Sequence, residues 1–328
     1  MPPVYVFGIM LFLLLASGVS LGLMLFFRPK QTSLSSTAEP TSPAIEEPTS
    51  PAIEEPAKPN PVVGPKKGAL VIMGGGADSL SPTPPKTNFE YIFAKFVELA
   101  GGEEARIVVV SSIPKSNPLA FREAKNLNVA EVTLRYTDDP DLANTWGFVQ
   151  PITTATGIWF LGGRQWRYAQ AYDGTLAEKE FSNVLERGGV IGGTSAGASI
   201  QGSFLVRGDT SSAAIMVGDE QRGFGYMRNT AIDQHVVARG REQGLIEVLE
   251  DPENKMWEEF DRAALLGIGI DEDVAIVVQG DRFEVIGKKN GTVLVYDPKK
   301  WNAETPDKEK WVTLRTGNSY DLKKRNVL

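Results

Sequence analysis

The chain contains no cysteine and a single histidine among its 328 residues. The absence of cysteine excludes disulfide bonds, thiolate zinc sites and a cysteine nucleophile. One imidazole is too few for a histidine-rich metal site, so we predict no metal. Any catalysis that requires an imidazole must use His235.

An excess of basic charge is also lacking. The chain has 34 Lys and Arg against 41 Asp and Glu, which gives a formal net charge of −7. Proteins that bind nucleic acid electrostatically carry a basic patch or stripe, and the sequence shows none. We therefore exclude nucleic acid as a partner.

A complete dinucleotide-binding pattern is missing as well. Gly74, Gly75 and Gly76 follow an apolar run, which is the context that such a turn requires. However, Ser79 occupies the position of the last glycine in G-x-G-x-x-G. We expect no nucleotide and no other cofactor.

One long uncharged run, Val4 to Phe27, lies at the N-terminus and has 24 residues. At about 1.5 Å per residue it is long enough to cross a hydrocarbon core of about 30 Å. No Lys or Arg precedes it, whereas a cleaved signal peptide has a basic start. We therefore predict that residues 1–30 form a retained, single-pass membrane anchor.

A segment rich in Pro, Glu, Ser and Thr follows at 31–66, with the repeat TSPAIEEP at 41–48 and again at 49–56. Such a composition buries too little apolar surface to fold and predicts a disordered spacer. The spacer favours a catalytic domain outside the cytoplasm, whereas Arg28 and Lys30 after the anchor favour the cytoplasm. The sequence leaves the side of the membrane open, with the extracytoplasmic side slightly favoured.

Residues 67–328 are predicted to form the folded domain. Short apolar runs alternate with amphipathic stretches at Phe89 to Leu99 and Leu176 to Glu186, which predicts β-α-β units around a parallel sheet. The strand candidates are ALVIM from Ala69, RIVVVSS at 106–112, EVTLRY at 131–136, GIWFLGG at 157–163 and GVIGGTS at 189–195. Near the C-terminus, Asn290-Gly291 predicts a hairpin that joins Val285-Ile286 to residues 293–296 in antiparallel strands at the sheet edge.

Ser195 lies at the centre of Gly193-Thr194-Ser195-Ala196-Gly197, which matches the nucleophile-elbow pattern G-x-S-x-G. An elbow holds the nucleophile in a tight turn between a strand and a helix, and the glycines allow the backbone to pass close to other segments. The N–H groups from Ala196 onward would then point at the group bound to Ser195. A structural glycine turn gives the same pattern.

A catalytic serine requires a base and a group that orients the base. His235 lies in Asp233-Gln234-His235, among polar residues that suit a site better than a core. The orienting group is either Asp233 or a member of the cluster Asp271-Glu272-Asp273, which follows the apolar run LLGIGI. The pattern alone leaves these alternatives open.

With these residues assembled, the sequence resembles the cyanophycinase and dipeptidase E family of serine peptidases over residues 67–298. The resemblance is carried by GGG at 74–76, Gly162-Gly163 with Gln165, GGTSAGAS at 192–199, DQHVVARGR at 233–241 and GIGIDEDVA at 267–275. It implies a three-layer αβα domain with a mainly parallel sheet, similar to class I glutamine amidotransferases.

The resemblance also implies roles for individual residues. Ser195 would be the nucleophile, His235 the general base and Glu272 the partner of the imidazole. Backbone N–H groups of Ala196 and of the Gly75-Gly76 turn would form the oxyanion hole. The implied substrate contacts are Gln165, Asp233, Gln234, Arg239 and Arg241, of which the last two could bind a carboxylate or form surface ion pairs.

The implied reaction is hydrolysis of peptide or isopeptide bonds at aspartyl residues, with a peptide or an aspartyl polymer as substrate. Where cyanophycinases tend to carry another arginine, this chain has Glu242-Gln243-Gly244, and it has an extra acidic segment at 252–262. Alternatives are an aspartyl dipeptidase-like exopeptidase, another amidase, or an inactive, membrane-tethered binding module. The membrane itself and a second copy of the chain, in a homodimer, complete the expected partners.

Overall fold

A computed structural model describes residues 64–76, 88–115 and 117–328. Its strands, in chain order, are β1 (Ala69–Met73), β2 (Arg106–Val110), β3 (Glu131–Arg135), β4 (Gly157–Phe160), β5 (Val190–Thr194), β6 (Gly202–Phe204), β7 (Met227–Gln234), β8 (Leu266–Ile270), β9 (Val274–Gln279), β10 (Arg282–Gly287), β11 (Thr292–Tyr296), β12 (Trp311–Arg315), β13 (Ser319–Asp321) and β14 (Asn326–Val327). Its α-helices are α1 (Asn88–Leu99), α2 (Leu119–Asn126), α3 (Pro140–Ala143), α4 (Trp146–Thr153), α5 (Gln165–Tyr172), α6 (Leu176–Glu186), α7 (Ala196–Ser199) and α8 (Gly244–Glu250). Short 3₁₀ helices lie at Gly102–Glu104, Pro298–Lys300 and Asp307–Glu309.

The N-terminal predictions fall outside this part of the chain. Within the described ranges, no helix combines the length and the apolar content that crossing a bilayer requires. The predicted anchor at 1–30 and residues 31–63 of the predicted spacer are not among the described residues. Both therefore stay predictions.

Five of the strands form a parallel array in the order β1-β5-β4-β2-β3, which confirms the predicted strands. Their apolar runs are buried on both faces, as parallel strands between helices require. Along β1, Leu70 and Ile72 contact the core beneath α4, α5 and α6, whereas Val71 and Met73 contact the core beneath α1 and α2. Helices thus cover both faces of this array.

Helix α1 contributes three aromatic rings to one of these cores. Phe89, Phe93 and Phe96 recur at helical spacing and contact the indole of Trp159 edge-on, with ring centroids 5.0–5.9 Å apart. Such spacing places the rings on one stripe of the helix. The amphipathic pattern at 89–99 therefore predicted this helix correctly, and the pattern at 176–186 coincides with α6.

The prediction of a mainly parallel sheet was wrong. The parallel array continues across β1 into antiparallel strands β9, β10, β13 and β14, which makes a mixed sheet of nine strands. A second sheet, in the order β12-β11-β8-β7-β6, packs beside it, because apolar side chains of β8 and β11 share a core with those of β9 and β10. The described fold is therefore α/β with two mixed sheets.

The predicted hairpin across Asn290-Gly291 was also wrong. Strand β10 pairs with β9 and β13, whereas β11 pairs with β8 and β12 in the other sheet. All five side chains of β11 are buried, which suits a central strand with a neighbour on each edge. The turn residue Asn290 does take up the left-handed conformation, with φ 59°, but in a connection between sheets.

The two sheets bring four strand ends together. Gly74 and Ser195 directly follow strands β1 and β5 of the first sheet, and His235 and Asp271 directly follow β7 and β8 of the second. Backbone bonds join them: His235 N–H donates to the Gly74 carbonyl at 3.1 Å, and Asp273 N–H donates to the Gly75 carbonyl at 3.0 Å. The glycine turn at 74–76 thus holds the histidine and acidic segments against the serine.

Candidate active site

Ser195 lies in the turn between β5 and α7, where the elbow pattern predicted it. Its backbone has φ 55° and ψ −115°, a conformation that non-glycine residues rarely adopt. The strained turn is fixed from two sides. Ser195 N–H donates to the carbonyl of Met73 at 3.0 Å, and the N–H of Ala198 donates to the carbonyl of Ser195 at 2.8 Å. The side chain is only partly buried, so the hydroxyl is accessible.

The two glycines of the elbow are required by close backbone approaches. A Cβ at Gly197 would lie 2.1 Å from the carbonyl oxygen of Phe160, and one at Gly193 would lie 2.3 Å from the carbonyl oxygen of Gly197. Neither obstacle is a flexible side chain. The G-x-S-x-G pattern therefore has a steric cause here, because α7 begins directly against β4 and β5.

Ser195, His235 and Glu272 form a continuous chain of hydrogen bonds. The His235 Nδ1 and the Glu272 Oε1 are 2.5 Å apart, and the Ser195 Oγ lies 2.8 Å from the His235 Nε2. With Glu272 ionised, Nδ1–H donates to the carboxylate, which leaves the lone pair of Nε2 to accept the serine O–H. That is the arrangement of nucleophile, base and orienting acid.

The structure distinguishes among the acidic residues that the sequence left open as the group that orients His235. Asp233 is fully buried and accepts two bonds from Arg207, from Nε at 3.0 Å and from Nη2 at 3.2 Å. Glu272 contacts the imidazole instead. Asp271 has a structural position: burial would raise the pKa of its carboxyl, but bonds from the Ala238 N–H and from Lys288 outweigh burial and lower that pKa.

The pKa of His235 lies below its ordinary value near 6.5. Burial of the ring is the largest cause, since it disfavours the charged imidazolium. The positive charge of Arg239 lowers the pKa further, whereas the hydrogen bond and charge of Glu272 raise it. The imidazole is therefore neutral at pH 7 and able to accept a proton.

These opposing charges predict opposite shifts of the pH profile. A base must be neutral, so kcat/KM falls as the pH drops through the pKa of His235. Replacing Arg239 with Gln removes a lowering charge and should move this acid limb to higher pH. Glu272→Gln removes a raising charge and should move it to lower pH. The kcat/KM profile of each variant measures the shift.

Arg228→Gln is the matched control, because Arg228 is an exposed arginine on β7 that does not contribute to the pKa shift of His235. Its acid limb should coincide with that of the unmodified chain. Identical limbs in Arg239→Gln and Arg228→Gln would contradict the assignment of His235 as the titrating base.

The residues predicted to supply the N–H groups of the oxyanion hole either follow Ser195 directly or line the same cavity. Ala196 is the first residue of α7, and no acceptor for its N–H is found among the described residues. Gly75 and Gly76 line the same cavity as Ser195 and have φ values of 142° and 86°. A Cβ at Gly75 would lie 2.1 Å from the imidazole Cε1, so this turn packs directly on the ring of His235.

A cavity of about 480 Å³ opens over Ser195 and His235. Its size suits a ligand of a few residues. Apolar side chains of α1, α2 and the connection before α2 form one wall, and the glycine turns at 75–76 and 162–163 form another. Nowhere in the described ranges do three His, Asp or Glu side chains lie close enough together to hold a metal ion.

Of the five residues predicted to contact substrate, Arg239 lines this cavity. Gln165 is buried, and its amide donates to the carbonyl of Val206 at 2.7 Å. Gln234 accepts a bond from Arg241 at 3.2 Å, and Asp233 is held by Arg207 as described above. The other four do not line the cavity and are bonded within the fold, and contact of any of the five with substrate stays a prediction.

Two cationic residues at the cavity were missed. Lys115 and Arg164 line it together with Arg239. Both follow the carboxyl end of a parallel strand closely, Lys115 after β2 and Arg164 after β4. Sites of parallel sheets lie at these ends, so the sequence did carry a signal that could have found them.

Comparison with known proteins gives the following likenesses. A model of peptidase family S51 matches residues 85–286. The cyanophycinase of Geminocystis herdmanii is 29% identical over 245 residues, which are 70% of this chain and 81% of that protein. The cyanophycinase of Synechococcus elongatus is 28% identical over 241 residues, which are 71% of this chain and 69% of that protein. A crystal structure of a peptidase from an acI-B1 actinobacterium superimposes with a TM-score of 0.55 at 19% identity, over 79% of this chain and 98% of that chain, which concerns the fold alone.

Proposed function

Because the chain belongs to peptidase family S51 and is a serine-type peptidase, we propose that it hydrolyses peptide or isopeptide bonds at aspartyl residues through Ser195, His235 and Glu272. The observation that carries this proposal is the unbroken chain of hydrogen bonds from the Ser195 Oγ through both imidazole nitrogens to the Glu272 carboxylate. The family predicted from the sequence is confirmed by the family model and by the cyanophycinase relatives.

In the proposed reaction, His235 Nε2 takes the proton of Ser195 as Oγ attacks the amide carbonyl. The negative charge that develops on the carbonyl oxygen is stabilised by the N–H of Ala196 and by the Gly75-Gly76 turn. Loss of one such donor costs about 3–4 kcal/mol of transition-state stabilisation. The imidazolium, balanced by Glu272, then gives its proton to the leaving amine, and an ester to Ser195 remains.

The second half of the reaction uses the same groups. His235 removes a proton from water, the hydroxide oxygen attacks the ester carbonyl, and Ser195 leaves with the proton that His235 returns to it. The products are a free amine and a carboxylic acid. Since one base performs both halves, both should share the acid limb set by His235.

The substrate class proposed here rests on aspartyl chemistry and on charge. The relatives are cyanophycinases, and the cavity over Ser195 carries Arg239, whose guanidinium can bind a carboxylate with two parallel hydrogen bonds. An aspartyl residue that is linked through only one of its carboxyls, α or β, has the other carboxyl free for such a contact. Both α- and β-linked aspartyl substrates therefore enter the test.

The test incubates the purified full-length chain with cyanophycin, with a β-aspartyl-arginine isopeptide and with α-aspartyl dipeptides. Products are identified by mass spectrometry. We expect cleavage of at least one aspartyl substrate and its loss after treatment with a fluorophosphonate, a serine-directed reagent, with the label on Ser195. A chain that cleaves none of them and takes no label on Ser195 would refute the proposal.

A further inference from the structure

The cavity over Ser195 is cationic, although the whole chain is acidic. Lys115, Arg164 and Arg239 line it, and none of its lining residues in the described part of the chain is Asp or Glu. The formal net charge of the chain is −7. A concave site lined by one sign of charge concentrates ligands of the opposite sign. This lining therefore favours an anionic ligand with more than one negative group.

The three cations lie on two sides of the serine, which follows from the order of the strands. Ser195 directly follows β5, which lies between β1 and β4. On the β1 side, His235 is bonded to Gly74, and Arg239 Nε lies 3.7 Å from the Glu272 carboxylate. On the β4 side, Arg164 follows Gly162-Gly163, and Lys115 follows the next strand, β2.

Adjacent strands are about 4.8 Å apart. Arg239 on one side and the cationic pair, Lys115 and Arg164, on the other therefore flank the position of the scissile bond. Gly162 forms the floor between them, since a Cβ on it would lie only 3.8 Å from the Ser195 Oγ. A peptide that extends past the serine meets a positive group at each end.

The cationic pair is also available to bind a substrate carboxylate. Both side chains are exposed, and within the described ranges neither forms an ion pair or a side-chain hydrogen bond. By contrast, Arg207 is engaged with Asp233, and Arg222 with Asp173 and Glu259. A substrate carboxylate at Lys115 and Arg164 therefore displaces no partner that belongs to the described ranges, whereas an arginine side chain there meets two like charges.

We propose that Lys115 and Arg164 form a specificity subsite for a second substrate carboxylate, on the side of Ser195 opposite to Arg239. The proposal rests on the aspartyl peptidase function proposed above and narrows its substrate class. The enzyme then prefers bonds between two acidic residues and disfavours an aspartyl bond whose other side carries a guanidinium. Arg164 contributes the planar, bidentate donor, and Lys115 adds a mobile point charge.

The experiment compares kcat/KM of the full-length chain for three aspartyl peptide amides that differ only in the second residue: glutamate, glutamine or arginine. We expect kcat/KM of the glutamate peptide to exceed that of the arginine peptide by roughly tenfold or more, because one charge-assisted hydrogen bond is worth about that factor. Arg164→Gln should bring the ratio towards one, and Arg164→Glu should invert it in favour of arginine.

Arg167→Glu is the matched control. Arg167 lies on α5, the helix that begins directly after Arg164, and its guanidinium stacks over Trp166 outside the cavity lining. It makes the same change of charge and should leave the ratio unchanged. Thermal unfolding of each variant tests whether the fold is retained. If Arg164→Glu unfolds the chain, the test of the subsite uses Arg164→Gln instead.

Competition supplies a readout that needs no turnover. The same three peptides are tested for protection of Ser195 against the fluorophosphonate, with the same order expected. Equal kcat/KM for all three peptides would overturn the proposed subsite. The same change of the glutamate-to-arginine ratio in Arg164→Glu and in Arg167→Glu would also overturn it. Failure of the chain to cleave any peptide and to label at Ser195 would instead refute the proposed function.

Discussion

Replacement of Ser195 by alanine should lower kcat by roughly five orders of magnitude on whichever aspartyl substrate the chain cleaves. The hydroxyl is the only group of the proposed triad that forms a bond to substrate, so the imidazole and Glu272 have nothing to activate without it. What remains is the polarisation of the carbonyl by the N–H groups near Ala196 and Gly75. Such residual effects account for only a small part of the rate of a serine hydrolase.

The fold should tolerate this change. Alanine has a Cβ, as serine has, so it keeps the strained φ of 55° and ψ of −115° at the elbow without adding a clash. The lost Ser195 to His235 bond joins a partly exposed hydroxyl to the ring, and its net contribution to stability is about 1 kcal/mol. Thermal unfolding and single-turnover kinetics separate the two effects.

Ser199 provides the matched control. It is the last residue of the short helix α7 that begins directly after Ser195, it is fully buried, and its hydroxyl finds no hydrogen-bond partner among the described residues. Ser199→Ala removes the same atom four residues away and should leave kcat within a factor of about three, since a structural hydroxyl contributes nothing to the bond-making steps. Comparable activity in Ser195→Ala and Ser199→Ala would exclude Ser195 as the nucleophile.

The local elements could be predicted because each one follows from its own residues. Buried parallel strands are short apolar runs, and α1 and α6 carry apolar side chains at helical spacing. Ser195 was recognisable because an elbow demands small neighbours at fixed positions. These signals are contained within a dozen residues, so no tertiary information was needed to read them.

The pairing of strands could not be read in this way. Strand β11 is buried on both faces, and its apolar residues are equally compatible with a hairpin to β10 and with a central position between β8 and β12. The local turn at Asn290 and Gly291 suggested the hairpin. The central position between β8 and β12 is the one observed, because there both faces of β11 are buried. Sheet membership depends on which surfaces remain to be covered, which is a property of the whole fold.

The site shows the same limit. Asp233 lies two residues before His235 and Glu272 lies 37 positions after it, and the sequence alone did not choose between these carboxylates. Asp233 is engaged by Arg207, which lies 26 positions earlier in the chain. That partner follows from the neighbouring strand β6, whose pairing with β7 places the two segments side by side. Only the resemblance to a family selected Glu272 before the structure was known.

Gly197→Ala should have the largest effect on stability, with a loss of roughly 3–5 kcal/mol in the free energy of unfolding. The added Cβ would lie 2.1 Å from the carbonyl oxygen and 2.6 Å from the carbonyl carbon of Phe160. Phe160 belongs to β4, which is hydrogen-bonded on both edges to β2 and β5. The obstacle is therefore backbone in the middle of a sheet, and α7 has to move instead.

Gly147→Ala is the matched control, because the same substitution there should have the opposite sign. Gly147 lies in α4 with an ordinary helical backbone, and a Cβ on it would meet nothing within 4 Å. Alanine restricts the unfolded chain and should stabilise the fold by up to about 1 kcal/mol. Urea unfolding of both variants measures the difference, and equal midpoints would show that the elbow relaxes freely around α7. Since α7 carries the N–H of Ala196 and holds the carbonyl of Ser195, a displaced α7 also moves the nucleophile, so Gly197→Ala should lose activity even at temperatures where it remains folded.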